Sequence, residues 1–242
     1  MRRFAWVAAF GVASSYSFAI VFPTLPHAAS NFIPYGTGTA AVPTNNSTMH
    51  QVFAGSLFTA NLGGLPTARI TSIGFAPGLN GTYNGSVALR LGYTTRIPGV
   101  GSVGGGLSVP IAGGGGGPNA SGPMTDFFVN PTYTATFVAF GPNNFQMVLT
   151  GTPFDYTPAN GNLLVEIVVT AVFGAGIDLH VSRSAGSAES SRSYTTTRFG
   201  AAESPGTATR MDFVFTPVPE PATLAALGVG ALGLIARRRR RA

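Results

Sequence analysis

Ser86-Val87-Ala88-Leu89-Arg90-Leu91-Gly92-Tyr93-Thr94-Thr95 sets Val87, Leu89 and Leu91 against the intervening Ala88 and Arg90. Successive side chains of a strand point to opposite faces, so this period of two buries one face and leaves the other for water. Met211-Asp212-Phe213-Val214-Phe215 repeats the pattern near the other end of the chain. Between and around these two, β-rich runs recur at short spacing: 49–60, 68–76, 132–140, 145–150, 163–173, 177–182 and 194–199. About nine strands separated by turn residues predict an all-β fold, an antiparallel β-sandwich of jelly-roll-like form. Asn160-Gly161 predicts a tight turn into the most apolar run, Leu163 to Val169.

Composition agrees. The chain of 242 residues carries 33 Gly and 18 Pro against 9% charged residues, which suits short strands joined by turns better than a helical bundle. With both ends set apart, the body is of a size for one domain. Gly99 to Gly122 interrupts the strand pattern with a glycine-dense stretch and is expected to be a mobile surface loop. Ser184 to Ser193 is a second polar loop candidate.

The net charge of +6 dissolves once the charges are placed. Arg2, Arg3 and Arg237 to Arg241, offset by Glu220, account for all of it. In the body, Arg69, Arg90, Arg96, Arg183, Arg192, Arg198 and Arg210 are matched by Asp126, Asp155, Glu166, Asp178, Glu189, Glu203 and Asp212. A neutral body lacks the basic stripe that phosphate binding requires, so no nucleic-acid partner is expected. The chain has no cysteine, which excludes disulfides, thiolate metal sites and a cysteine nucleophile. It has no lysine, which excludes Schiff-base chemistry and a P-loop.

Chemical motifs are weak. Gly99-Val100-Gly101-Ser102-Val103-Gly104 matches a dinucleotide-binding glycine pattern, but more glycines and Pro110 follow where a helix is needed. Asp178 and His180 lie two apart on a predicted strand and would share a face, able to meet one metal or one proton-transfer partner; a cross-strand hydrogen bond or a solvated face is the simpler reading. His50 is the other histidine of the body. The seven body acids are isolated in sequence, and each is expected to be a solvated strand or loop charge rather than half of a glycosidase pair. Tyr83, Tyr93, Tyr133, Tyr156 and Tyr194 could contact a sugar, but core or edge packing is the default for each. The sole tryptophan, Trp6, lies in the N-terminal segment. The body is therefore expected to be non-catalytic, with no cofactor and no metal.

Both ends read as processing segments. Met1-Arg2-Arg3, the apolar run from Phe4 to Phe22, then Pro23 and small residues, have the charged and hydrophobic regions of a secretory signal helix over residues 1–30, to be engaged by the export translocon. Ala28, Ala29 and Ser30 offer a cleavage point near 30, with Ser17 and Ala19 as an earlier alternative. The ectodomain then spans 31–216. At the other end stand Val218-Pro219-Glu220-Pro221, an apolar segment over 222–236 and the basic tail Arg237, Arg238, Arg239, Arg240 and Arg241. The apolar segment is expected to be a short transmembrane helix whose flanking arginines reach toward the interface and stay on the cytoplasmic side.

This last arrangement, over 217–242, resembles the PEP-CTERM sorting signal of exopolysaccharide-producing bacteria. The resemblance implies that Pro219, Glu220 and Pro221 are recognition residues for exosortase, an integral-membrane protease-transpeptidase, and that the helix beyond them is discarded. It implies an exported protein transiently anchored in the inner membrane and then released to the cell surface or extracellular matrix. The body also resembles a recurrent PEP-CTERM ectodomain type in Met49-His50-Gln51-Val52-Phe53, in Arg69 to Phe75 and in Pro153-Phe154-Asp155-Tyr156 followed by Gly161 to Glu166; that type brings no assigned activity. A carbohydrate-binding or adhesion module acting on exopolysaccharide is the competing expectation.

Overall fold

The computed structural model describes residues 17–22, 27–35, 44–77, 80–138, 144–172, 177–183, 188–196 and 200–218. In chain order the strands are β1 (Phe18–Phe22), β2 (His27–Tyr35), β3 (Thr44–Phe53), β4 (Ala68–Phe75), β5 (Gly81–Thr94), β6 (Thr125–Phe137), β7 (Met147–Tyr156), β8 (Asn162–Val172), β9 (Ile177–Arg183), β10 (Ser190–Thr196), β11 (Gly200–Ser204), β12 (Thr207–Thr209) and β13 (Met211–Pro217). A four-stranded sheet has the order β1-β13-β4-β7, and a six-stranded sheet the order β11-β10-β3-β8-β5-β6. A third sheet of three strands has the order β12-β9-β2, and every strand pair among the described residues is antiparallel.

The two larger sheets enclose one core. Val87, Leu89 and Leu91 of β5 meet Val165, Ile167 and Val169 of β8 on one side, and Ile70, Ile73, Phe75, Met211, Phe213 and Phe215 on the other. The two alternating stretches thus lie on opposite walls of the same interior, as a sandwich requires. Tyr83 and Tyr156 are fully buried there, and Tyr93, Tyr133 and Tyr194 pack against it half-buried. At one side the sheets close on each other: a Cβ at Gly151 of β7 would run into the Phe127 carbonyl oxygen of β6, so only glycine permits the approach.

Three expectations need correction. The run 49–60 is not one strand: β3 ends at Phe53 and a helix, α1 (Gly55–Asn61), follows. Phe58 and Leu62, four residues apart, share a helical face, and Phe58 inserts edge-on among Phe53, Tyr156, Phe213 and Phe215. The stretch 184–193 is not wholly a loop, because Ser190 to Ser193 open β10 and are buried against β3. Within 1–30, residues 18–22 and 27–30 are strands where a signal helix is expected, and residues 1–16 and 23–26 lie outside the described residues. Phe18 and Ile20 alternate inward onto the core, with Ala19 exposed between them. The glycine-dense stretch is a surface loop, and it lies across the outer face of the six-stranded sheet. The expected membrane helix over 222–236 falls outside the described residues, among which no helix is long and apolar enough to cross a membrane.

Candidate functional site

The outer face of the six-stranded sheet carries a line of polar residues drawn from four neighbouring strands. Register places His50 (β3) opposite Glu166 (β8), Glu166 opposite Arg90 (β5), and Arg90 opposite Asp126 (β6). Cross-strand partners on one face lie close enough to bond. His50 Nε2 is 2.7 Å from Glu166 Oε2, Arg90 Nη1 donates to Glu166 Oε1 at 2.7 Å, and Arg90 Nε donates to Asp126 Oδ1 at 2.7 Å. His50 and Glu166 are fully buried, whereas the Asp126 side chain at the end of the row is largely exposed.

What buries them is the glycine-dense loop. Leu107 sits on Val52 and Leu164 of the outer face, with Ala120 and Met124 beside them. Gly113 to Gly117 all have positive φ, between 47° and 104°, a conformation that side-chain-bearing residues resist. This backbone turns the N–H groups of Gly115 and Gly116 onto the two oxygens of Glu166, at 3.0 and 2.8 Å. Successive N–H groups in such turns form a concavity for anions, and here the chain's own carboxylate fills it. Further ties run to β3 and β10: Gly113 N–H donates to Thr48 Oγ1, Ser193 Oγ to the Ser108 carbonyl, and Thr195 Oγ1 to the Pro110 carbonyl. At the far end of the loop, Ser102 N–H donates to Glu203 Oε2.

Asn119 fixes the histidine. Its Oδ1 accepts the Ser108 N–H at 2.8 Å, while its Nδ2 donates to the Ser108 carbonyl and to His50 Nδ1. An amide NH2 only donates, so Nδ1 accepts, and the ring proton sits on Nε2 facing Glu166. Burial by itself would push the Glu166 carboxyl up; His50, the Gly115 and Gly116 N–H groups and Arg90 outweigh it and hold the group at about 2. Both histidine nitrogens are thereby committed within the protein. The geometry makes this cluster a fastening for the loop.

Glu166 is thus a correction to the expectation of a solvated acid. Its setting in Leu163-Leu164-Val165-Glu166-Ile167-Val168 was the available signal: a charge inside an apolar run must be paired when buried. Asp155 does behave as a surface charge, bidentate with Arg69 at 2.6 and 2.9 Å. Asp178 and His180 stand in β9 opposite Pro34 and Phe32 of β2, and their side chains lie outside the described residues. No group of three or more potential metal ligands forms among the described residues. Beside the loop, an open groove of about 400 Å³ is lined by Asn46, Thr48, Val168, Thr170, Thr195 and Thr196 together with Ala112 and Gly113.

Pro219, Glu220 and Pro221, the segment 222–236 and Arg237 to Arg241 lie outside the described residues. Immediately before them, Pro217 closes β13 opposite Ala68, so the folded body runs up to the edge of the tail. No curated protein and no solved structure matches the chain. The family model of the PEP-CTERM protein-sorting motif matches residues 217–241, starting where β13 ends. The chain therefore carries a PEP-CTERM protein-sorting motif in its C-terminal region, which implies export, a membrane-associated sorting step and exosortase as the processing partner.

Proposed function

We propose that this is a non-catalytic cell-surface or extracellular-matrix protein, delivered through the inner membrane and released by exosortase at Pro219-Glu220-Pro221. The single observation that carries this reading is the sorting motif at 217–241, abutting the last strand of an independent β-rich body. Folding and sorting then occupy separate parts of the chain. The body supports a passive role: its buried His–Glu pair is spent on holding a loop. The chain passes repeatedly between the two sheets, from β3 to β4, β4 to β5, β6 to β7 and β7 to β8, which supports a jelly-roll-like reading of the sandwich.

Replacement of Glu220 by Ala, or deletion of Arg237 to Arg241, is expected to leave the body folded while changing its release. Fractionation of cells expressing each variant checks this; processing equal to wild type in both would contradict the proposal.

The hydroxyl-lined groove between the loop and strands β3, β8 and β10 supports a second reading, adhesion to exopolysaccharide. Against it stands the packing of the tyrosines: Tyr83 and Tyr156 are fully buried, and Tyr93, Tyr133 and Tyr194 are half-buried against the core. Binding of the released body on a glycan array would favour adhesion over a structural role.

A further inference from the structure

The strand β1 begins at Phe18, inside the segment expected to be removed on export. It is the outer partner of β13 over five register pairs, from Phe18↔Phe215 to Phe22↔Met211. The Phe18 ring stacks on Phe215 at 5.6 Å with an interplanar angle of 24°, and Phe18 and Ile20 pack on the main core. A cut near residue 30 would strip this strand, leave the Met211 to Phe215 backbone as an open apolar edge, and remove His27 from its pairing with Ser182. Open flat edges recruit other chains, and natural sheets cover or charge them.

The sequence supplies a site that avoids this loss. Signal peptides carry an apolar core of roughly 7–15 residues followed by small residues at alternating positions before the cut. Phe4 to Ala13 is an unbroken apolar run directly after Arg2-Arg3, and Ser14, Ser15, Tyr16 and Ser17 end it. Extending the core to Phe22 would take in all four of these polar residues. Ser15 and Ser17 are small residues two apart, standing immediately before Phe18.

Accepting that the N-terminal segment is a secretory signal, we propose that signal peptidase cuts between Ser17 and Phe18, so that β1 remains as an integral strand of the mature sandwich. The peptidase reads Ser15 and Ser17 through their small side chains, and the peptide bond hydrolysed is the one joining Ser17 to Phe18. The new N-terminus then lies at the start of a strand that covers β13.

Mass spectrometry of the mature N-terminus from native cells tests this with the full-length gene product. A chain starting at Phe18 is the expected result. A start between residues 28 and 31 would overturn the assignment while leaving the signal reading intact, and an intact Met1 would overturn both. As a second measurement, Ser17→Phe should lower the processed fraction at least about tenfold by placing a bulky residue before the cut, while Ala29→Phe leaves it unchanged. The opposite pattern would overturn the proposal.

Discussion

Glu166 and Arg90 face each other across β8 and β5, and their 2.7 Å contact lies directly beneath the backbone of Gly114 and Gly115. The carboxylate therefore holds two layers at once, the sheet through His50 and Arg90 and the loop through the glycine N–H groups. Removing its charge should loosen the loop before it disturbs the core. Glu166→Gln is expected to cost about 2–4 kcal/mol of stability, because buried charge partners are left incompletely matched. Urea unfolding measures the loss, and hydrogen exchange should show faster opening at Gly115 and Gly116 than on β13.

The same carboxylate gives stability a pH dependence of defined sign. Its folded value of about 2 lies below the ordinary 4.5, so the contribution is present in full above pH 4.5 and is lost as pH falls through that window toward 2. The amount at stake is on the order of 3 kcal/mol. Asp155, lowered by its hydrogen bond to Arg69, acts with the same sign, but that pair is nearly half exposed and its share is small and salt-sensitive. Unfolding midpoints recorded from pH 7 to pH 2 should fall steeply in the wild type and more gently in Glu166→Gln.

Adjacent glycines should respond differently to the same substitution. Gly113 has φ 87° with open space where a Cβ would go, so Gly113→Ala pays mainly the left-handed backbone cost of about 1–2 kcal/mol. At Gly114, φ 83°, a Cβ would come within 2.6 Å of Arg90 Nη1, Glu166 Oε1 and Val168 Cγ2. Gly114→Ala should add roughly 1–3 kcal/mol of overpacking to the backbone cost and break the loop fastening. Comparative denaturation of the two variants checks the difference.

Asp212 runs against the trend of the other acids. Burial raises its carboxyl, and Oδ1 finds no hydrogen-bond partner among the described residues. A raised acid destabilises the fold as pH climbs past its ordinary value, the reverse of Glu166. Asp212→Asn should therefore leave stability unchanged or raise it by up to about 1 kcal/mol at pH 7, with the gain shrinking as pH falls. Paired denaturation curves at pH 7 and pH 3 decide it.

The core strands were legible because alternation in Val87-Leu89-Leu91 and Met211-Phe213-Phe215 is a local property that burial respects. The loop fastening was not, because it depends on register between strands far apart in the chain. Glu166 and His50 are separated by 116 positions, and nothing local marks them as partners. A partial clue lay in Leu164 and Val168, apolar on the face that a one-sided strand would leave to water. That second apolar face calls for a cover, and the glycine-dense stretch supplies it through Leu107. Ser190 to Ser193 misled for a related reason: serines suit loops by propensity, yet here the sheet and the overlying loop bury them. Helix α1 was missed because Phe58 and Leu62 carry a four-residue period too short to stand out beside a β-rich run.

The tail leaves the body from β13, an interior strand of its sheet flanked by β1 and β4, and not from a frayed edge. Tension applied through a membrane tether would load that strand along its axis, against hydrogen bonds lying crosswise on both sides. Such a geometry resists peeling, because many bonds must yield together and no single end pair gives way first. A body tugged by its own tether while the sorting enzyme works would stay folded until it is cut free.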